Sequence, residues 1–409
     1  MVSFESRNLK VLLVSSILCS TAGIGVILAV YPEAGSASGL RTTESIARET
    51  SYTVTLSPVG ALHFAKPPQR VVTEDANYND MLVALGRGRQ LLATGYPNNF
   101  FDGFYQQLPD TEPGIDRDEL RYLSGTPGAQ FDKELLYQLD ADIHHIDPVQ
   151  LATRRSWTKA DVEEIARNVG PFFANRYSRE NIYSGEEPYE FYSLWELAEK
   201  VGAVYQDSSR VARLKELSDA LVARIQTQLP PLEERPQVGL VYFNAGGRFT
   251  PYSLGHGGFG QAHYEAVGAR DAFAGLDLRT YGEGGGSGIV LDLEGLISIN
   301  PDVLIMPFAI YGEPGSGSGA RGSYELLLAL GKEPLGQRLT AFQRDQVYPG
   351  GTPLQGPIFF IFQVEMAAKQ LYPKVFGRYR DDQRYPPEEC LFERAALAKI
   401  IRGPNDAER

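Results

Sequence analysis

One long amphipathic helix divides this chain and limits what the rest can become. Val211, Leu214, Leu217, Leu221, Val222 and Ile225 fall on one face, Arg213, Lys215, Glu216, Asp219 and Arg224 fall elsewhere, and Pro230-Pro231 ends the run. About twenty helical residues span roughly 30 Å, the width of a small domain. Strand-like and helical pieces alternate on its amino side. After a hairpin of Tyr52–Leu56 and Ala61–Phe64 come the buried strand Arg70-Val71-Val72, the helix Met81–Leu85 closed by Gly86, and the strand Leu91–Thr94. Asn77 to Asp80 are placed to cap that helix. Helices over Phe131–Leu139, Ala160–Val169 and Tyr192–Val201 follow, with strands at Ala141–Ile146 and Phe172–Ala174. Beyond the long helix the pattern restarts: strand Val238–Phe243, helix Ala262–Val267, strand Val303–Met306, and helices Phe362–Leu371 and Leu397–Ile401. Strand–helix–strand units build parallel sheets covered by helices. The expected architecture is α/β: two Rossmann-like lobes, residues 52–208 and 232–409, joined by one helix at 209–231.

With 409 residues, the chain is too long for one ordinary core, which agrees with two lobes. An apolar fraction of 43% with 22% charged residues excludes a disordered chain. The formal net charge of −12 argues against a general nucleic-acid or anionic-membrane binder, though not against a local basic pocket. Two cysteines, Cys19 and Cys390, cannot build a disulfide scaffold or a cysteine-rich metal site. Residues 1–39 do not read as fold. Arg7 and Lys10 precede an apolar run from Val11 to Tyr31, and small residues from Ala34 to Gly39 follow. That describes an export signal. The run is about twenty residues and is also long enough for a retained amino-terminal anchor. A lipoprotein reading would rest on Cys19, but bulky Leu18 precedes it. Residues 40–51 read as a polar tether to an exported, soluble body.

The order of the pieces resembles one family. Pro68-Gln69-Arg70-Val71-Val72 with a helix ending Ala84-Leu85-Gly86 resembles the opening of the exported substrate-binding proteins that serve iron–siderophore and cobalamin ABC importers. Leu296 to Ile305, with Pro301-Asp302 at its centre, resembles that family's helix, Pro-Asp, strand element of the second lobe. Leu139 to Ile143 stands at the counterpart in the first lobe, with Ala141 where proline is usual. Ala367 to Pro373 followed by Phe376 resembles the closing helix. Together these pieces cover nearly all of residues 51–403. The resemblance implies a class III periplasmic-binding-protein-like fold, with a cleft between lobes that a rigid helix holds in place, and an ATP-driven permease as partner. No Gly-x-x-x-x-Gly-Lys-Ser/Thr loop occurs in the chain, so ATP hydrolysis is assigned to that partner.

Ligands of such folds collect on loops at the carboxyl ends of strands. In the first lobe these are Glu74–Tyr78, Tyr96–Asn99 and Asp147–Trp157; in the second, Asn244–Tyr252, Phe308–Tyr311 and Gly350–Pro357. The candidate contacts are Tyr78, Tyr96, Arg154, Trp157, Arg248, Tyr252, Phe308 and Gln355, with Arg155 on the same loops. Aromatic faces suit flat apolar or cationic surfaces, and guanidinium groups clamp carboxylates and catecholate-like oxygens. That mixture suits a bulky, anionic metal chelate, with haem and cobalamin as relatives of the same ligand class. A chain with 22 tyrosines also has many that only pack.

Other motifs carry less. His144-His145 tempts a metal reading, but neighbours on a strand point to opposite faces, and His63, His256 and His263 lack a ligand spacing. No direct metal site and no cofactor are expected. Tyr281–Gly288 and Tyr311–Gly319 are glycine-rich without the strand-before, helix-after context of a phosphate cradle, and read as loops near the cleft edge. Gly255-His256-Gly257-Gly258 has no nucleophile partner, and the pairs Glu186-Glu187 and Asp381-Asp382 read as solvated surface. Asp80 reads as a cap, with contact to a permease as the alternative. The expectation is therefore a monomeric, non-enzymatic extracytoplasmic binding protein, periplasmic or at the cell surface, for a siderophore-like chelate. An extracytoplasmic enzyme or a protein-binding surface module on the same scaffold is the alternative.

Overall fold

The short apolar runs that mark buried strands pair as two separate sheets in a computed structural model, which describes residues 51–97, 100–125, 130–183, 185, 188–244, 246–255, 258–276, 278, 289–307, 309 and 320–403. The leader and tether before Ser51 lie outside these residues, as do Phe308, His256, the pair Glu186-Glu187 and both glycine-rich stretches. A hairpin of β1 (Tyr52–Leu56) and β2 (Gly60–Phe64) stands apart. The first sheet contains β3 (Val71–Thr73), β4 (Leu91–Thr94), β5 (Arg121–Tyr122) and β6 (Ile143–His145) in the order β5-β4-β3-β6, all parallel. The second contains β7 (Gln237–Phe243), β8 (Phe249–Tyr252), β9 (Arg270–Asp271), β10 (Val303–Met306) and β11 (Val347–Pro349). Its order is β11-β10-β7-β8 with β9 also on β7, and only β8 is antiparallel. The strand expected at Phe172–Ala174 reduces to a single bridge between Phe172 and His144 at the sheet edge.

Period-two alternation decides what each strand touches. Val71 and Ile143 face a large central apolar cluster, whereas Val72 faces a separate cluster with Leu136, Ile146 and Trp157. In β10, Val303 and Ile305 join the central cluster, and Leu304 and Met306 join a third with Phe249 and Tyr324. The central cluster thus receives side chains from both sheets, and each sheet keeps an outer core of its own.

The connecting helix runs from Ser208 to Gln226, with Val211, Leu214, Ser218, Leu221 and Ile225 buried along one stripe. A second helix, Pro357–Leu371, is longer than the sequence suggests and buried at every residue. It packs against helices Ala76–Ala84, Ser208–Gln226 and Ala262–Ala266, and so ties the two halves together. Its polar side chains all find partners: Gln363 bonds the Thr352 backbone, Lys369 the Phe376 and Glu389 carbonyls, and Gln370 the Pro349 carbonyl and Tyr264 hydroxyl.

One local device occurs in both halves. Helices Lys133–Leu139 and Leu293–Ile299 end on the left-handed residues Asp140 (φ 45°) and Asn300 (φ 52°). Two residues later Asp142 and Asp302 use backbone and side chain together to hold the start of the neighbouring strand. Asp142 N–H donates to the Arg70 carbonyl at 2.8 Å, and its carboxylate accepts from Gln69 and Arg70 N–H at 2.7 and 3.0 Å. Asp302 N–H donates to the Gln237 carbonyl at 2.9 Å, and its carboxylate accepts from Gln237 N–H at 3.0 Å. The aspartate of each helix-to-strand element therefore sets the register of β3 and β7.

The first helix starts earlier than its sequence suggests. Ala76–Ala84 is helical with Asp75 as N-cap, so Asn77, Asn79 and Asp80, expected as caps, lie inside it. Asp80 is fully buried and caps a different helix: its carboxylate accepts from the N–H groups of Ile358 and Phe359 at 2.8 and 3.3 Å and from the Tyr105 hydroxyl at 2.9 Å. A permease-facing role for Asp80 does not survive that burial.

Candidate functional site

The residues after β3, β4 and β6 meet at the carboxyl end of the first sheet. Glu74 follows β3, and its N–H donates to the His145 carbonyl at 3.0 Å. Tyr96 follows β4. Asp147 follows β6 and caps the helix Pro148–Ala152 through the N–H groups of Val149 and Gln150. Arg154 leaves the end of that helix and reaches back, donating to Glu74 Oε1 at 2.5 Å and to the Tyr96 hydroxyl at 3.1 Å. Its guanidinium lies 3.9 Å from the centre of the Phe131 ring. Burial, reinforced by Asp75, pushes the Glu74 carboxyl up to about 7 against the pull of Arg154 and Arg176.

Residues 175–183, which include a helical turn at Tyr177–Arg179, and Tyr189 complete the cluster. Arg179 bonds Asp75 at 2.9 Å and Glu180 at 3.0 Å, and Arg176 stands 3.7 Å from Asp75 and 3.8 Å from Glu180. Asp147 accepts from the Arg176 N–H at 2.8 Å and from the Tyr189 hydroxyl. Burial raises the Asp147 carboxyl above its ordinary value. The rings of Tyr177, Tyr183 and Tyr189 pack together with centres 4.7 to 5.3 Å apart, all half-buried.

The second half meets this cluster through a glycine-bearing turn. A Cβ on Gly258 would fall 2.4 Å from the Arg179 carbonyl oxygen, and one on Gly260 would fall 3.2 Å from it. Only glycine permits that approach at Gly258. Gln355 holds the turn in place by donating to the Phe259 and Gly260 carbonyls, both at 2.9 Å. Replacing Gly258 with alanine is expected to push the halves apart here and to destabilise the protein by about 1–3 kcal/mol, as overpacking does elsewhere. Urea unfolding of the variant measures this, and an unchanged midpoint would contradict the contact.

The sequence candidates divide by direction. Tyr96 and Arg154 join the cluster. Tyr78 lies beneath it: its hydroxyl accepts from Asn175 N–H at 2.8 Å and its ring stacks on His145 at 5.2 Å, which leaves it 3% exposed. Trp157 is 4% exposed in the outer core, with its indole N–H on the Phe131 carbonyl at 3.1 Å. Tyr252 is buried on β8, and burial, then Tyr242 and Glu180, push its phenol up to about 12. Gln355 is fully buried under the turn, whereas Arg248 is exposed on the turn from β7 to β8. Sequence reasoning missed Asp75, Arg176, Arg179 and Glu180 as partners. The Arg176, Arg179, Glu180 spacing, three and four residues apart on one turn, was the available signal.

The histidine pair behaves as alternation demands. His144 faces outward, with Nδ1 on the Gly170 carbonyl at 3.0 Å; His145 faces inward, with Nδ1 on the Phe173 carbonyl at 2.7 Å and Nε2 at 2.9 Å from the Tyr205 hydroxyl. A carbonyl only accepts, so Nδ1 carries the His145 proton and Nε2 accepts from Tyr205. Burial lowers both rings to about 4. A depressed histidine contributes stability that is present above its unfolded value near 6.5 and lost as pH falls toward 4. For His145→Gln the deficit against wild type is expected to shrink by about 3 kcal/mol between pH 6.5 and 4, because the variant has one fewer buried ring to protonate. Chemical denaturation across that range tests this, and a pH-independent deficit would contradict it. Among the described residues no group of three or more His, Cys, Asp or Glu side chains could hold a metal ion.

Cavities of 1210, 860 and 960 Å³ open elsewhere. The first is lined by Gly88, Arg89, Asp102 and Arg117, near the amino end of β4; the second by Leu217 and Leu221 of the connecting helix together with Phe392; the third by Arg344, Tyr348 and Arg378, near the amino end of β11. Their size does not outweigh their position, because ligands of parallel α/β sheets gather at the carboxyl ends of strands.

No protein-family model and no curated protein sequence matches the chain. Solved structures do match its fold. A structure from the ABC-type Fe3+-hydroxamate transport system of Saccharomonospora viridis DSM 43017 aligns with TM-score 0.50 at 16% identity, over 77% of this chain and 98% of that one. The periplasmic catecholate-siderophore binding protein VctP from Vibrio cholerae aligns with TM-score 0.51 at 16% identity, over 78% and 99%. A periplasmic binding protein from Veillonella parvula DSM 2008 aligns with TM-score 0.54 at 16% identity, over 79% and 98%. The chain has the class III periplasmic-binding-protein fold, with two mostly parallel α/β halves and one long helix between them.

Proposed function

We propose that this chain is an extracytoplasmic solute-binding protein that captures a chelated-iron, siderophore-like ligand between its halves and delivers it to an ABC permease. The observation that carries the reading is the arginine, tyrosine and carboxylate cluster at the carboxyl end of the first sheet, on a fold it has in common with siderophore-binding proteins over nearly their whole length. Fold likeness alone does not give function, so the cluster matters. Tyr96, Arg154 and the half-buried Arg176 and Tyr177 are the first-half contacts in this proposal, and Arg248 and Phe308 are the second-half ones. Tyr78, Trp157, Tyr252 and Gln355 are 0–4% exposed and act by holding the contacts in place.

No bond is made or broken in this account; capture and release are the whole mechanism, and the chain is not an enzyme. Its halves are residues 52–208 and 232–409 with the connector at 209–231, and the protein acts as a monomer. Residues 1–39 direct export, as a cleaved signal or a retained anchor, and residues 40–51 tether the body at the periplasmic or cell-surface side. Among the described residues no helix is long and apolar enough to cross a membrane. Haem and cobalamin are the neighbouring ligand classes. Native mass spectrometry of protein purified from its own host tests the proposal. A bound mass with the isotope pattern of iron is expected. Protein that arrives bare and takes up no ferric siderophore, haem or cobalamin on addition would overturn it.

A further inference from the structure

The charge balance of the cluster narrows the ligand, and this step rests on the binding-protein reading above. Four carboxyl groups, Glu74, Asp75, Asp147 and Glu180, meet three guanidinium groups, Arg154, Arg176 and Arg179. Each guanidinium already has a carboxylate of this chain: Arg154 has Glu74 at 2.5 Å, Arg179 has Asp75 at 2.9 Å and Glu180 at 3.0 Å, and Arg176 stands between Asp75 and Glu180. These pairs are largely dry, with side-chain exposures of 9% and 5% for Arg154 and Glu74 and 7% and 12% for Arg179 and Asp75. An incoming anion has to compete with these carboxylates for the guanidinium groups, and a pair that it broke would leave a carboxylate buried as an uncompensated anion or forced to take a proton. Arg155 and Arg248 on these loops are both exposed. At such positions ionic contacts contribute little. Burial already makes the Glu74 and Asp147 carboxyl groups costly to ionise, and Asp75 adds to that cost at Glu74, so a further anion placed beside them is disfavoured.

We infer that the site takes a ferric chelate of zero or positive net charge, of the hydroxamate type, and discriminates against a polyanionic catecholate. This differs from the sequence expectation of an anionic ligand, which counted the arginines without their partners. The half-buried Tyr177, Tyr183 and Tyr189 rings beside Asp147 and Glu180 suit an uncharged or cationic surface by the same logic.

Quenching of the protein's intrinsic fluorescence by a neutral ferric tris-hydroxamate, a monocationic one and a trianionic ferric tris-catecholate tests this at two salt concentrations. The hydroxamates are expected to bind at least about tenfold more tightly at low salt, with the gap narrowing at high salt as repulsion is screened. Glu180→Gln, which releases a guanidinium contact at a half-buried position, is expected to narrow the gap as well. Catecholate binding as tight as hydroxamate binding would overturn the charge inference while leaving the binding-protein reading intact. Failure of all three chelates to bind would overturn both.

Discussion

Asp80→Ala is expected to cost about 3–4 kcal/mol of folding stability, the largest single loss in this account. The carboxylate has no exposure to solvent and accepts from three donors: the Ile358 and Phe359 N–H groups and the Tyr105 hydroxyl. Removal leaves these donors buried without a partner, at roughly 1–3 kcal/mol for each that finds no water. It also uncaps the fully buried helix Pro357–Leu371, which both halves pack against. Asp80→Asn keeps the shape and is expected to cost less. Burial pushes the Asp80 carboxyl up to about 7, while its unfolded value is near 4. Between those values the folded state binds the extra proton, so this contribution is full below pH 4 and is lost as pH rises through 7. Wild-type stability should therefore fall more steeply than that of Asp80→Asn from pH 5 to 8. Urea titrations at both pH values measure this; parallel profiles would contradict the assignment.

Arg154→Met should show the opposite kind of dependence on its partner. Removing one member of a buried ion pair costs about 3–5 kcal/mol when the other stays charged. Glu74 already sits near 7, however, and escapes by taking a proton. The variant is expected to lose only about 1 kcal/mol at pH 5, where Glu74 is neutral in either protein, and about 3 kcal/mol at pH 8.5, where it must remain buried as an anion or hold a proton against the solvent. Adding Glu74→Gln should recover most of the loss at high pH, because two uncharged partners remain. A loss that is equal at both pH values, or that Glu74→Gln leaves unchanged, would show that the Arg154 stem contributes mainly by packing on Phe131.

Strand and helix positions were legible where local pattern decides them. The runs Val71-Val72, Val238–Phe243 and Val303–Met306 are apolar, short and bounded by turn residues, and the stripe from Val211 to Ile225 has the period of a helix. The recurrence of Asp142 and Asp302 two residues after a left-handed cap was legible as a motif, although its job of clamping a neighbouring strand was not. Direction in space was not legible. Tyr78 lies inside the first helix, Tyr252 ends β8, and Trp157 and Gln355 stand on loops, yet all four turn inward, because a ring or an amide satisfies itself against whatever backbone the fold brings near. Asp80 was read as a local cap because sequence shows only the helix it belongs to; its partners lie 278 and 279 positions away. Arg176, Arg179 and Glu180 acquire meaning only when β3 places Asp75 beside them. Pairing across loops is a tertiary fact.

Anomalous scattering at the iron edge, from crystals grown with a ferric tris-hydroxamate, locates the bound chelate. One strong iron peak is expected between the halves, beside Arg154 and Tyr96 on one side and the turn at Gly258 on the other. Iron at any of the three outlying cavities, or ordered crystals with no iron at all under saturating chelate, would contradict that placement.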